Sequence, residues 1–176
     1  MKEGLLLGMK TLEKIEIVVI NENIINNLDF DCGDEDLNEF IREDALKHLY
    51  EDLAVTYLFI LDGVVLGFVS ISSASIKISK KHKKEMKFQY PEFPSVRIAR
   101  LAIDKRYAGK GIGTHLIKWI SGKSEDMGRD IGIRFISLDA YEKSINFYKK
   151  IGFHVYDSKK RNVPMYFDLK KIKKEK

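Results

Sequence analysis

At 176 residues, 44% hydrophobic and 32% charged, the chain is long enough for one domain with a core and too apolar for a disordered segment. Its longest apolar stretches, Ala54–Leu61 and Val64–Ser70, are too short to span a bilayer, and Leu5–Leu7 lack the surroundings of a secretory signal, so a cytoplasmic protein with no membrane association is expected. The net charge of +5 is divided unevenly: residues 1–63 hold five Lys/Arg and fifteen Asp/Glu (−10), and residues 64–176 hold the other 26 basic and 11 acidic residues (+15). An acidic face and a basic face follow, the second suited to phosphate-rich ligands or nucleic acid, or simply a solvated lysine surface. The single Cys32 excludes an internal disulfide and a multi-cysteine zinc site, and reads as a small buried hydrophobe. No convergent spacing of His, Asp or Glu implies a metal.

In chain order, Ile15–Ile20 is rich in β-branched residues and reads as a strand. Asp31–Asp34, with Gly33 between, forms a turn able to cap a helix. From Asp34 to about Glu51, Leu37, Phe40, Ile41, Ala45, His48 and Leu49 recur at helical spacing, leaving a strongly acidic outer face. Ala54–Leu61 and Val64–Ile71 flank Asp62–Gly63 as the strands of a hairpin, the second extending toward Ile78. Lys77–Lys87 contains six lysines and His82, a basic and exposed connection. Val96–Ile103 is a strand, Thr114–Met127 a helix, Ile131–Leu138 a strand and Glu142–Ile151 a helix. Phe153–Tyr156 and Met165–Leu169 are closing strands, and Lys170–Lys176 is a basic tail expected to be disordered. This order indicates an α/β protein: one mixed sheet with helices on its faces, undivided by any linker.

Between a strand and a helix lies Arg106-Tyr-Ala-Gly109-Lys110-Gly111-Ile112-Gly113. Its glycines let backbone N–H groups approach a ligand that a Cβ would obstruct, and the N-terminal end of the next helix adds an anion site. Arg106 and Lys110 supply positive charge, so a pyrophosphate suits the segment. A purely structural glycine turn is the alternative. The spacing matches neither a nucleoside-triphosphate loop nor a dinucleotide fingerprint.

The run from Leu101 through Gly113 to Leu116 resembles the acetyl-CoA-binding motif of the GNAT acetyltransferase superfamily, Arg/Gln-x-x-Gly-x-Gly-x-Gly/Ala. Downstream, Asn146-Phe-Tyr-Lys-Lys-Ile-Gly-Phe153 resembles that superfamily's second signature, Phe-Tyr-x-x-x-Gly-Phe. The resemblance implies a GNAT fold, a mostly antiparallel, splayed sheet flanked by helices, over a single domain. It implies acetyl-CoA as cosubstrate and an acetyl group passed directly to an amine. Leu101, Ala102 and Ile103 would then offer backbone groups to the pantetheine arm. Arg106, Gly109, Lys110, Gly111, Ile112, Gly113 and Thr114 would surround the pyrophosphate, with Asn146 as a further cofactor contact. Tyr148 would be the catalytic residue that protonates the departing thiolate, its ordinary pKa near 10 being close to that of an alkyl thiol. Phe147 and Phe153 read as packing. Asp104, Asp139 and the four histidines, His48, His82, His115 and His154, can be nominated as a general base, but no motif selects one.

Phe30-Asp-Cys32-Gly33-Asp-Glu-Asp-Leu37-Asn-Glu-Phe40 resembles the opening motif of GNAT toxins, and Ala99–Asp104 also fits them. That resemblance implies aminoacyl-tRNA as the acceptor, a ribbon-helix-helix antitoxin as partner and a possible homodimer. Lys77, Lys80, Lys81, Lys83, Lys84 and Lys87, with Lys159, Lys160 and Arg161, would face tRNA phosphates. The acidic helix around Glu43 and Asp44 departs from the toxin pattern. A GNAT enzyme acting on a small amine or protein amino group stays open, as does a CoA- or RNA-binding protein without activity.

Overall fold

The computed structural model describes residues 14–78, 90–156 and 162–172. It contains β1 (Glu16–Val19), β2 (Val55–Leu61), β3 (Val64–Ile76), β4 (Phe93–Ile103), β5 (Phe135–Ala140), β6 (His154–Val155) and β7 (Val163–Asp168). Hydrogen bonding orders them β1-β2-β3-β4-β5-β7-β6. The β4–β5 pair is parallel, while β1–β2, β2–β3, β5–β7 and β6–β7 are antiparallel, so the sheet is mixed as expected. The helices are α1 (Glu22–Ile25), α2, α3 (Ile112–Asp130), α4 (Ile145–Ile151) and α5 (Leu169–Ile172). Helix α2 is composite: Glu35–Glu39, a π-helical turn Phe40–Asp44, then Ala45–Tyr50. Among the described residues no helix is long and apolar enough to cross a membrane.

The chain falls into two compact units, Met1–Ser72 with Ala99–Trp119, and Ser73–Ile98 with Ile120–Lys176. Strands β3 and β4 and helix α3 contribute residues to both. In the first unit, Leu37, Phe40, Ile41 and Ala45 of α2 pack with Leu58, Val65 and Phe68 of the sheet; the β2–β3 register skips Leu66, and this bulge brings Val65 onto the same face as Phe68. Phe59 of β2 meets Trp119 and His115 of α3 edge-on, at 5.5 and 6.4 Å, so the strand is covered on both faces. The hairpin turn holds Asp62 at φ 49° and Gly63 at φ 79°, the left-handed pair that matches strand twist. Asp34 caps α2 by accepting from Leu37 N at 3.4 Å.

In the second unit, Ile76, Ile78, Phe93, Phe135 and Tyr166 form a separate core. The β4–β5 ladder covers Ser95–Arg97 against Phe135–Ser137 and stops there, although β4 continues to Ile103 and β5 to Ala140. Arg134 donates to Asp168 at 2.7 Å, with both side chains mostly buried, and so clamps the start of β5 to the end of β7.

Several expected boundaries shift. Helix α1 was not anticipated; Asn21 caps it, and its four residues are too few to show a period. Strand β5 begins at Phe135 rather than Ile131, because Ile131 N still bonds to the Met127 carbonyl at 3.0 Å in the last turn of α3. The helix expected from Glu142 opens as a 3₁₀ turn, Glu142–Ser144. Lys170, expected to begin a disordered tail, instead lies in α5. The basic connection lies mostly outside the described residues, as do Lys159, Lys160 and Arg161; Lys77 is described and pairs with Glu92 at 3.1 Å.

Candidate active site

In the first unit, β4 ends at Ile103 and a 3₁₀ turn, Lys105–Tyr107, leads into the glycine loop. Gly109 and Gly111 adopt φ 73° and 84°, which L side chains rarely take, and a Cβ at either would meet nothing within 4 Å. Their glycine is therefore required first by backbone conformation, not by contact with neighbouring protein atoms. Residues 108–111 are exposed. The first amides of α3, at Ile112, Gly113 and Thr114, have no acceptor within the helix, and at 19 residues α3 carries a full helix dipole toward the loop. The Ile112 side chain is buried, so that residue can meet a ligand only through its backbone. Leu101 and Ile103 are half-buried and Ala102 is part of the core, which likewise leaves the backbone as the group to offer.

The two loop cations differ in their surroundings. Arg106 donates through Nε to Asp104 Oδ1 at 2.9 Å and through Nη2 to Asp104 Oδ2 at 2.8 Å. It further donates to Asp29 Oδ2 and to the Asp29 carbonyl, at 2.7 and 2.9 Å, so most of its donors are taken by protein rather than free for a phosphate. Lys110 gives its amide to the Tyr107 carbonyl and holds Nζ over the Tyr107 ring, 5.1 Å from the centroid. The exposed loop cation available to an anion is thus Lys110.

Behind the loop lies a polar cluster. Asp104 is fully buried and accepts four hydrogen bonds, from Arg106 N, Nε and Nη2 and from Asp31 N. Arg106 beside it holds the Asp104 carboxyl below its usual range. Asp31 in turn accepts from Lys105 Nζ (2.5 Å), Gly33 N (2.7 Å) and Asn38 Nδ2 (2.9 Å), which lowers its pKa as well. Cys32 N and Sγ both donate to Asn38 Oδ1, at 3.0 and 3.2 Å. The half-buried Cys32 thus serves as a weak donor in a polar cluster, a role beyond the apolar filler expected of it.

In the second unit, α4 presents Tyr148, 8% exposed, between Phe147 and Phe153 at ring distances of 5.0 and 5.5 Å. Burial alone pushes its phenol up to about 12. Asn146 is exposed on the same helix. Gly152 ends α4 at φ 105°, and a Cβ there would come within 3.1 Å of Phe167, which accounts for the glycine of the second motif.

The family model described as Acetyltransferase (GNAT) family matches residues 23–153, most of the chain. The chain belongs to this family. Its fold agrees with that assignment: a tyrosine-to-phenylalanine mutant of KacT covers 93% of this chain and 99% of its own, at 25% identity and TM-score 0.81. AtaT complexed with acetyl-methionyl-tRNAfMet covers 92% and 98%, at 24% identity and TM-score 0.80. A tRNA-acetylating toxin of Mycobacterium tuberculosis (strain ATCC 25618 / H37Rv) is 25% identical over 127 residues, 72% of this chain and 76% of its own.

As a GNAT acetyltransferase, the chain takes its acetyl group from acetyl-CoA. Four of the groups nominated as general base are poorly placed to be one; His82 lies outside the described residues, and His48 packs edge-on against Phe40 at 5.5 Å. Asp104 is held ionised by Arg106, far from the near-neutral pKa that suits a base. Asp139 is paired with Arg97 at 2.6 Å. His115 is half-buried, and that burial together with Lys118 lowers its pKa, leaving it a neutral ring packed edge-on to Phe59. His154 Nε2 lies 3.0 Å from Lys171 Nζ. Among the described residues, no group of His, Cys, Asp and Glu converges as metal ligands would.

Two features escaped the sequence reading. A Cβ on Gly67 would lie 2.7 Å from the Ala102 carbonyl and from the Ile103 side chain, so this glycine admits the end of β4. A lone glycine inside a strand pattern was the available signal. The Asp31–Asp104 contact joins residues 73 apart and left no local signal.

Proposed function

We propose that this enzyme acetylates the amino group of aminoacyl-tRNA, and so acts as a translation-blocking toxin in the cytoplasm. The observation that carries the reading is the relation to the tRNA-acetylating toxin of M. tuberculosis across 72% of the chain. In this reading the whole chain works as one GNAT domain. The amides of Gly109, Gly111, Ile112, Gly113 and Thr114 hold the pyrophosphate, with Lys110 beside them. The pantetheine arm uses the backbone of Leu101–Ile103, where β4 has run past the end of its ladder with β5. Asn146 adds a cofactor contact.

The acceptor amine attacks the thioester directly, its proton passing to water. Tyr148 meets the sulfur as the thiolate leaves. With its pKa raised to about 12, the phenol stays protonated and acts as a hydrogen-bond donor to the thiolate as the C–S bond breaks, the thiolate then taking its proton from solvent. Glu35, Asp36, Glu39 and Glu43 form an exposed acidic face on α2, which suits a basic antitoxin segment better than an RNA phosphate. A homodimer is compatible with this reading.

Transfer of labelled acetyl from acetyl-CoA to charged tRNA, beside uncharged tRNA and a panel of polyamines and peptides, tests the proposal. Label should appear on charged tRNA alone and fall by about 10²–10⁴-fold in Tyr148→Phe, the range of a positioned proton donor. Label on a polyamine or peptide alone would transfer the same chemistry to a small or protein amine.

A further inference from the structure

The polar cluster behind the glycine loop has no part in the acetyl transfer itself, yet it holds the only fully buried carboxylate among the described residues' buried polar groups. Asp104 stands at the hinge between strand and loop. Its amide is tied to β3 through the Leu66 carbonyl at 2.9 Å. Its Oδ1 caps the following 3₁₀ turn by accepting from Arg106 N at 2.8 Å, and Tyr107 N bonds to its carbonyl at 2.9 Å. The same carboxylate takes the Arg106 guanidinium with both oxygens, and Arg106 spans onward to Asp29. Its Oδ2 also receives Asp31 N at 3.2 Å. The Lys105 amide bonds back to the Asp31 carbonyl at 2.9 Å, and Lys105 Nζ to the Asp31 carboxylate. Every residue entering the loop from Asp104 to Tyr107 is therefore fixed by backbone or side chain to one buried group or to the turn it anchors.

Beyond Tyr107 the restraint is weaker: Ala108 N reaches the Lys105 carbonyl and Lys110 N the Tyr107 carbonyl, both at 3.4 Å. Residues 108–111 are exposed, and Gly109 and Gly111 hold left-handed φ values with open space around them. Such a segment has many conformations available, and its amides converge on an anion only if its entry is set in advance.

We propose that Asp104 is the positioning residue of the glycine loop: through Arg106 and the Asp29–Asp31 segment it sets the entry of the loop, so that the amides of Gly109 and of residues 111–114 meet pyrophosphate preorganised. This rests on the reading of the loop as the acetyl-CoA site and concerns donor binding, whatever the acceptor. The motif turn around Asp31 and Cys32 is thereby given a purpose inside the protein: it closes the far side of the same carboxylate.

The test is calorimetric titration of CoA into the full chain and its Asp104→Asn variant, with steady-state kinetics in parallel. An amide cannot take two guanidinium donors and two backbone amides as a carboxylate does. Asp104→Asn should weaken CoA binding and raise KM for acetyl-CoA by about tenfold or more, while kcat at saturating acetyl-CoA and KM for charged tRNA stay within about twofold. A folded Asp104→Asn protein that binds CoA within about twofold of the parent overturns the proposal. So does a parallel fall in kcat and rise in both KM values, the signature of general damage. Should Asp104→Asn not fold, Asp31→Asn, which removes the carboxylate that holds Lys105 on the far side of the cluster, is titrated in its place, with the same outcomes supporting or overturning the proposal. Gly111→Glu separates the levels: it should abolish CoA binding by placing a carboxylate against pyrophosphate, and unchanged affinity there would refute the loop reading itself. The CoA titration needs no acceptor, so its result stands apart from the tRNA assay.

Discussion

Tyr148 shows how a residue's surroundings change its chemistry. On its ordinary pKa a tyrosine matches an alkyl thiol and would serve as a matched acid. Buried between Phe147 and Phe153, it is pushed up to about 12 and keeps its proton throughout the working range. The pH profile follows. The activity measured as kcat/KM should rise as the acceptor amine loses its proton, near pH 8 for an α-amino group, and then stay level to about pH 10. Tyr148→Phe should lower this profile without changing its shape. A falling limb between about pH 8 and 10 that vanishes in Tyr148→Phe would show an acidic tyrosine and contradict the burial argument.

At the scale of elements, the second motif is as much an instruction for ending a helix as for catalysis. Gly152 N and Phe153 N bond back to the Lys149 and Tyr148 carbonyls, and the reversal needs φ 105°. Gly152→Ala should cost about 1–2 kcal/mol, from the left-handed penalty and the crowding against Phe167, read as a lower midpoint in urea unfolding. An unchanged midpoint would mean that α4 can end another way. The hairpin at Asp62–Gly63 and the cap at Asp34 were legible because each depends on neighbours in sequence. The π-helical turn at Phe40–Asp44 was not: within it Arg42 reaches the Phe30 carbonyl at 3.0 Å, and the apolar spacing that predicts a helix does not distinguish one hydrogen-bond register from another.

For the whole molecule, the acidic groups set the behaviour at low pH. Asp31 and Asp104 in the first unit, and Glu92 in the second, beside Ser75 and Lys77, have lowered pKa values in the folded protein. A folded-state pKa below the unfolded one means stability that is present above the unfolded value and lost as protons bind below it. Unfolding free energy should therefore be level near neutrality and fall below about pH 4, with Asp104→Asn showing a lower plateau and a shallower acid limb. Urea midpoints followed by circular dichroism from pH 7 to 3 would check this. An identical acid limb in that variant would remove Asp104 from the account.

What the sequence determined by itself was local. The glycine loop, its strand and helix, the Tyr148 motif and the family they indicate all rest on residues within a few positions of each other, where backbone conformation and side-chain period leave a readable trace. Tertiary structure decided the rest. That Arg106 is held by Asp104 and by Asp29, the latter 77 residues away, is visible only in the fold. That Asp104 is fully buried and accepts four hydrogen bonds is likewise visible only there. The physical reason is the same for both. A charged group's role depends on which donors, acceptors and solvent surround it, and folding brings those together from distant parts of the chain.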